Sequence, residues 1–217
     1  MTRIVGGRWG GRRLVTPAGD TTRPTSEKVR AALASSLTAA GGLEGARVLD
    51  LYAGSGALGL ELVSRGASSA VLVEQDRAAL VALRANVTTL GSASVRDKSA
   101  VRAGSAVGDI NLPDVVGAPT LTVIPGDVAA FAARASGLVP AKSSPFDVVL
   151  ADPPYDLSGE ALLAVFLGLH SAGLLAPHAD LVVERSRRAG EPAWPEPLAG
   201  VRVKKYGDTL LCYGRAP

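Results

Sequence analysis

Two short segments of the 217-residue chain hold residue types whose spacing permits chemistry. The first is DLYAGSGALGLE from Asp50 to Glu61, where Gly54, Gly56 and Gly59 form a G-x-G-x-x-G turn between an apolar run and a helical pattern. Glycines there let a ligand reach the backbone, and the N–H groups of the following helix face it. Glu74 ends the next apolar run, 20 residues after Gly54, where its carboxylate can accept both hydroxyls of a ribose. The pair points to a nucleoside, carried either in a dinucleotide or in S-adenosylmethionine. A tight turn followed by a solvated acid is the plainer reading of the same residues.

The second segment, Asp152-Pro153-Pro154-Tyr155 after the apolar run FDVVLA, favours S-adenosylmethionine. Consecutive prolines remove two N–H donors and stiffen the backbone, leaving the Pro153 carbonyl as an acceptor beside the Asp152 carboxylate. Two acceptors converging on one amino group, with a phenol ring to stack upon, make a receptor for a planar base with an exocyclic NH2. Such an amine is a weak nucleophile, because its lone pair is delocalised into the ring. Holding both N–H bonds favours a pyramidal nitrogen whose lone pair points at an electrophilic methyl, so rate comes from positioning and electrostatics rather than from a strong base. Asp152 can take the proton once the methylated amine is cationic. Stacking on Tyr155 contributes on the order of 1 to 3 kcal/mol to base binding. A third acid, Asp127, follows the run TLTVI and fits either an acceptor for an adenine amino group or a helix N-cap.

These residues need a scaffold that ends several strands on one side. From residue 46 apolar runs alternate with helical segments, the pattern of a parallel sheet with crossover helices. ARVLDLY at 46, SAVLVEQ at 69, TLTVI at 120, FDVVLAD at 146 and ADLVVERS at 179 read as strands, and 57–65, 77–90, 127–136 and 158–171 as helices. VRVKKYG from 201 and TLLCYG from 209 are close enough to pair antiparallel. The fold class is α/β: a doubly wound, mostly parallel sheet with both motifs at its strand ends. Residues 91–119 lose periodicity and read as a flexible insert, longer than ordinary connections. Residues 1–42 form an N-terminal extension. Its paired glycines suggest a hairpin, and Val29, Leu33 and Leu37 recur every four residues in a helix capped by Thr25.

Hydrophobic residues at 47% against 20% charged exclude wholesale disorder. No apolar run reaches the roughly 18 residues that span a bilayer, and no secretory signal opens the chain, so a cytoplasmic location and no membrane partner are expected. The lone cysteine, Cys212, excludes a disulfide framework, and His170 and His178 lack ligands at metal spacing, so no metal site is expected. Net charge is only +3, yet residues 1–30 carry seven cations against two acids, a surplus of five. Such a basic segment suits a polyanion, nucleic acid first, although a solvated arm is the plainer alternative.

DLYAGSGALGLE with DPPY resembles class I S-adenosylmethionine-dependent methyltransferases that act on amino groups. RIVGGRWGGRRL and RPTSEKVR, ahead of that core, resemble the RsmD-type family, which methylates guanine N2 in small-subunit (16S) ribosomal RNA. The resemblance spans nearly the whole chain apart from the insert. It implies a seven-stranded, Rossmann-like methyltransferase domain over 43–217, preceded by an RNA-contacting extension over 1–42. S-adenosylmethionine is then the cofactor, and 16S ribosomal RNA, naked or within the assembling small subunit, the partner of an expected monomer. The resemblance assigns Asp50, Ala53, Gly54, Ser55 and Gly56 to the methionine part of the cofactor, Glu74 to its ribose and Asp127 to its adenine. Asp152, Pro153, Pro154 and Tyr155 hold the target guanine, and Arg23, Pro24 and Thr25 help close the substrate side.

The resemblance also sharpens the reading of the basic segment. Arg8, Arg12 and Arg13 flank Trp9, which suits phosphate contacts with an aromatic ring available for stacking, and Arg23 and Arg30 are further RNA candidates. Packing of Trp9 on the domain is the alternative. Ala31, Ala34 and Ser35 stand where the family carries Glu, Phe and Asn, which bears on helix docking and RNA contacts more than on cofactor binding.

Three other functions fit parts of the pattern. A D/N-P-P-Y site accepts any planar NH2, so adenine N6 of DNA or RNA, or a glutamine amide, is separable only by mass analysis of the product. An NAD-dependent oxidoreductase would use the glycine turn but leave Asp152–Tyr155 idle. An RNA-binding assembly factor would bind RNA and ignore the cofactor.

Overall fold

Strands that are apolar on both faces need helices on both sides, and the chain supplies them in alternation. The computed structural model describes residues 2–17, 26–91, 95–97, 119–138 and 145–217. The extension holds β1 (Thr2–Arg3), β2 (Arg13–Leu14) and α1 (Glu27–Ala39). Then follow β3 (Arg47–Leu51), α2 (Ala57–Ser64), β4 (Ser69–Glu74), α3 (Arg77–Leu90), β5 (Val95–Asp97), β6 (Thr120–Pro125) and α4 (Val128–Leu138). The chain ends with β7 (Phe146–Ala151), α5 (Gly159–Ser171), β8 (Leu175–Ser186), β9 (Ala199–Tyr206) and β10 (Thr209–Arg215).

The main sheet runs β5-β6-β4-β3-β7-β8-β10-β9. Neighbours from β5 to β8 are parallel, and β10 is antiparallel to both β8 and β9. The seven expected strands are present with an eighth, because β5 falls inside the stretch read as an irregular insert. Residues 92–94 and 98–118 of that stretch lie outside the described residues. β3 sits between β4 and β7, with Asp50 opposite Leu72 on one side and Leu150 on the other. The turn after β3, the end of β4 and the bend after β7 therefore emerge side by side at one edge of the sheet.

Period-two alternation sorts each strand's side chains between two cores. Val48, Ala70, Leu72 and Leu150 pack with Leu33, Leu60 and Leu83 of α1, α2 and α3. Leu49, Leu51, Val71 and Val149 pack on the opposite face with Phe131 and Phe166 of α4 and α5. Cys212 lies in this second core, where burial pushes its thiol up to about 11. Ser26, not Thr25, caps α1, its side chain accepting from the Val29 N–H; Thr25 itself lies outside the described residues.

The extension shares the first core rather than forming its own, through Ile4, Trp9 and Leu14. Two polar residues of α2 clamp its backbone. The buried Glu61 carboxylate accepts from Val5 N at 2.6 Å and Gly6 N at 3.0 Å, and from Arg65 Nε at 2.7 Å. Ser64 Oγ accepts from Trp9 N at 3.0 Å and donates to the Gly6 carbonyl at 2.5 Å.

This packing corrects two expected RNA contacts, Trp9 and Arg30, and for Trp9 it bears out the alternative, a side chain packed on the domain. Trp9 is 9% exposed and lies in the core, so its indole has no face to offer a base. Arg30 is 1% exposed, because positions 30, 33, 34 and 37 share the inner face of α1. Its Nη2 donates to the Arg3 carbonyl at 2.6 Å, and burial lowers its pKa while the Glu61 and Glu27 carboxylates oppose the shift. Arg30 ties α1 to β1 and does not reach solvent. Arg8, Arg12 and Arg13 are exposed, and Arg23 lies outside the described residues.

Candidate active site

The glycine turn has a protein-facing side and an open side. After β3 the chain passes through Tyr52 (φ 60°) and Gly54 (φ 57°) to Gly56 (φ 80°), the N-cap of α2. A Cβ on Gly56 would lie 2.5 Å from Leu83 Cδ1, and one on Gly59 would lie 2.8 Å from Asp50 Oδ2. Those two glycines are demanded by packing. Among the described residues a Cβ on Gly54 would meet nothing within 4 Å, so the backbone there faces open space.

Buried acids hold this turn in place. Glu74 Oε2 accepts from Gly54 N at 2.7 Å, and its Oε1 accepts from Gln75 N and Asp76 N, each at 2.7 Å. Asp50, 2% exposed, accepts from Gly59 N at 2.8 Å through Oδ2. Removal from water pushes the Asp50 carboxyl up to about 7, opposed by the Gly59 N–H and reinforced by the charges of Asp152 and Glu74. The resemblance assigned Asp50 to the methionine end of the cofactor; its bond in the structure is to the base of the turn.

A residue absent from the sequence reading completes the support. Asn86 on α3 is buried, donates from Nδ2 to the Ser55 and Val15 carbonyls, both at 2.9 Å, and accepts from Val15 N at 2.8 Å. One amide thus joins the turn to the extension. Asp127 does serve as an N-cap, accepting from Ala130 N at 2.8 Å through Oδ1. It stands beside Glu74, whose carbonyl accepts from Gly126 N at 2.8 Å. Burial, then the Asp127 charge, pushes the Tyr52 phenol up to about 12.

The Asp-Pro-Pro-Tyr bend opens to solvent. Pro153 is buried and Asp152 half-buried, whereas Tyr155 is 73% exposed. Leu157 N donates to the Pro154 carbonyl at 3.0 Å, and Arg185 Nη1 donates to the Leu157 carbonyl at 3.3 Å, bracing the bend from β8. The bend borders a cleft of about 760 Å³, the size of a small-ligand site. Its other walls are the N-terminal end of α1, the end of β8 with Glu184–Arg188, and the β9–β10 turn at Tyr206–Asp208. The structure brings Asp50, Gly54, Glu74, Asp127 and Asp152 to one sheet edge; Arg8, Arg12 and Arg13 do not line the cleft. The sequence reading passed over Glu184–Arg188, although three arginines within four residues at the end of a strand are a visible signal.

A parallel sheet closed by an antiparallel pair, a glycine turn after β3 and an Asp-Pro-Pro-Tyr bend after β7 define a class I methyltransferase fold. An RNA methyltransferase from Salinibacter ruber, solved with S-adenosyl-L-homocysteine, shares that fold with a TM-score of 0.55 at 18% identity, over 90% of this chain and 94% of that one. The family model described as "Conserved hypothetical protein 95" matches residues 2–113 and 123–215. "Ribosomal RNA small subunit methyltransferase D" of Escherichia coli (strain K12) is 32% identical over 207 residues, 95% of this chain and 85% of that protein. A solved Escherichia coli structure superposes with a TM-score of 0.71 at 28% identity, covering 98% of this chain and 96% of that one. The chain belongs to this family, the RsmD family.

Proposed function

We propose that the protein methylates the exocyclic N2 amine of a guanine in small-subunit ribosomal RNA, with S-adenosylmethionine as donor. The observation that carries this reading is the adjacency of the open Gly54 backbone and the Asp152–Tyr155 bend on the paired strands β3 and β7. The name of the Escherichia coli relative supports the choice of RNA.

The residues present fit the cofactor. Gly54 leaves room at the backbone, Glu74 is fixed as an acceptor at the end of β4, and the Asp127 carboxylate stands beside it. Bound there, S-adenosylmethionine supplies an electrophilic methyl group. The Pro153 carbonyl and the Asp152 carboxylate each accept one N–H of the guanine amine, which directs its lone pair toward that methyl. Tyr155 stacks on the base, and Asp152 receives the proton that the methylated amine releases. Because the bend is exposed and the cleft takes a nucleotide, the guanine is swung out of any stack, as a loop nucleotide can be at low cost. Arg8, Arg12 and Arg13 meet RNA phosphates outside the cleft. A monomer working in the cytoplasm on the assembling small subunit completes the proposal.

Incubation of the protein with methyl-labelled S-adenosylmethionine and small-subunit RNA or particles, followed by nucleoside mass analysis, tests it. Label in N2-methylguanosine, lost with Asp152→Ala, is expected. Label in N6-methyladenosine, in protein, or nowhere would overturn it.

A further inference from the structure

The cleft beside Asp152–Tyr155 has a second wall of different character. β8 ends at Ser186, and the chain reverses through Arg187, Arg188 and Ala189. Backbone bonds pin this reversal. Arg187 N donates to the Asp208 carbonyl at 2.9 Å, and Ala189 N donates to the Ser186 carbonyl at 3.1 Å and to Ser186 Oγ at 3.2 Å. Both arginines line the cleft and both are exposed.

Three other arginines are matched with carboxylates among the described residues: Arg3 with Glu27, Arg65 with Glu61, Arg215 with Asp180. Arg185, two residues before, turns inward to the Leu157 carbonyl. Neither Arg187 nor Arg188 forms an ion pair among the described residues, although Asp152, Glu184 and Asp208 lie in the same cleft. A guanidinium stays charged at any physiological pH, and adjacent cations repel, so two of them on a pinned backbone call for an anion from outside. The planar fork of each matches a phosphate.

The geometry points to Arg187 and Arg188 as the phosphate grip for the RNA strand on either side of the target nucleotide. The assignment rests on the reading of the cleft as the nucleotide site. It separates two duties among the cations. Arg8, Arg12 and Arg13 act outside the cleft, whereas Arg187 and Arg188 hold the phosphates next to the base bound by Asp152–Tyr155, and so set how tightly the strand binds.

The test uses the full chain with Arg187 and Arg188 both changed to Ala, and separately both to Lys. Affinity for small-subunit RNA is measured across salt concentrations, with KM, kcat, S-adenosylhomocysteine affinity and melting temperature alongside. Loss of two single-strand phosphate contacts makes the log-affinity against log-salt slope shallower by about 1.4. The KM for RNA rises about tenfold with kcat held within about twofold, the signature of lost binding rather than lost chemistry. The Lys pair restores the slope, having kept the charge, but only part of the KM, having lost the fork. An unchanged slope and KM in the Ala pair, or a parallel fall in cofactor affinity and melting temperature, would overturn the assignment while wild-type methylation still upheld the reading beneath it. A wild type that binds no ribosomal RNA would overturn both.

Discussion

Around Gly54 the supporting polar groups are buried and bonded to named protein partners: Asp50 to Gly59, Glu74 to three N–H groups, Asn86 to Ser55 and Val15. Around Tyr155, on the next strand of the sheet, the aromatic ring stands 73% exposed over an open cleft with two cations at its lip. In the proposed function the cofactor side is organised before any ligand arrives, which lowers the ordering cost of binding a small, flexible molecule. The substrate side, in the proposed function, stays open for a polymer that brings its own surface and inserts one base. The difference predicts that substitutions on one side are felt as stability and cofactor affinity, and on the other as rate and RNA affinity.

The largest effect should come from Asp50→Asn. The Asp50 carboxyl sits near 7 in the fold against an ordinary 3.8, so the fold holds its neutral form. Ionisation therefore costs the wild type stability as pH rises from about 4 to about 7, a loss the variant escapes. Chemical denaturation of both proteins across that range should show the variant gaining on the wild type by about 4 kcal/mol at most. A pH-independent difference would show that Asp50 is not held neutral.

Asp152→Ala should lower kcat by about 10² to 10³, the usual scale for removing one preorganised acceptor or donor at a reacting centre. Affinity for S-adenosylhomocysteine, measured by calorimetry, should stay near wild type. A matching loss of cofactor affinity would erase the division between the two sides. Asn86→Leu should act in the opposite sense. It strands the Val15 N–H and two carbonyls, costing about 3 kcal/mol of stability and weakening cofactor binding through Ser55. Melting and calorimetry together check this, and unchanged values in both would contradict it.

Tyr155→Ala is expected to have the smallest effect, a rise in the KM for RNA equivalent to about 1 to 2 kcal/mol. Melting temperature should not move, because so exposed a ring contributes little to the core.

What the sequence disclosed and what it hid follow the same division by distance along the chain. Gly54, Gly56, Gly59 and Asp152–Tyr155 are legible because a turn or a bend is made by neighbours in sequence. The alternation of apolar runs likewise foretold every core strand except β5, whose three residues are too few to show a period. Asn86, Glu61 and Ser64 were not legible as clamps, since the backbone groups they hold lie 31 to 71 residues away and no local pattern marks them. Residue type alone makes Arg30 a cation of a basic arm, whereas for Trp9 packing on the domain already stood as the alternative. The spacing of Arg30 with Leu33, Ala34 and Leu37 was the signal for burial, and it outweighs type when the stem of a long side chain can line a helix face.

A crystal structure of the protein with S-adenosyl-L-homocysteine tests the central claim most directly. The sulfur should lie between the open face of Gly54 and the Asp152 carboxylate, with the ribose on Glu74 and the cleft beyond Tyr155 still open. A sulfur placed away from the Asp152–Tyr155 bend, or a ligand seated in the cleft instead, would contradict it.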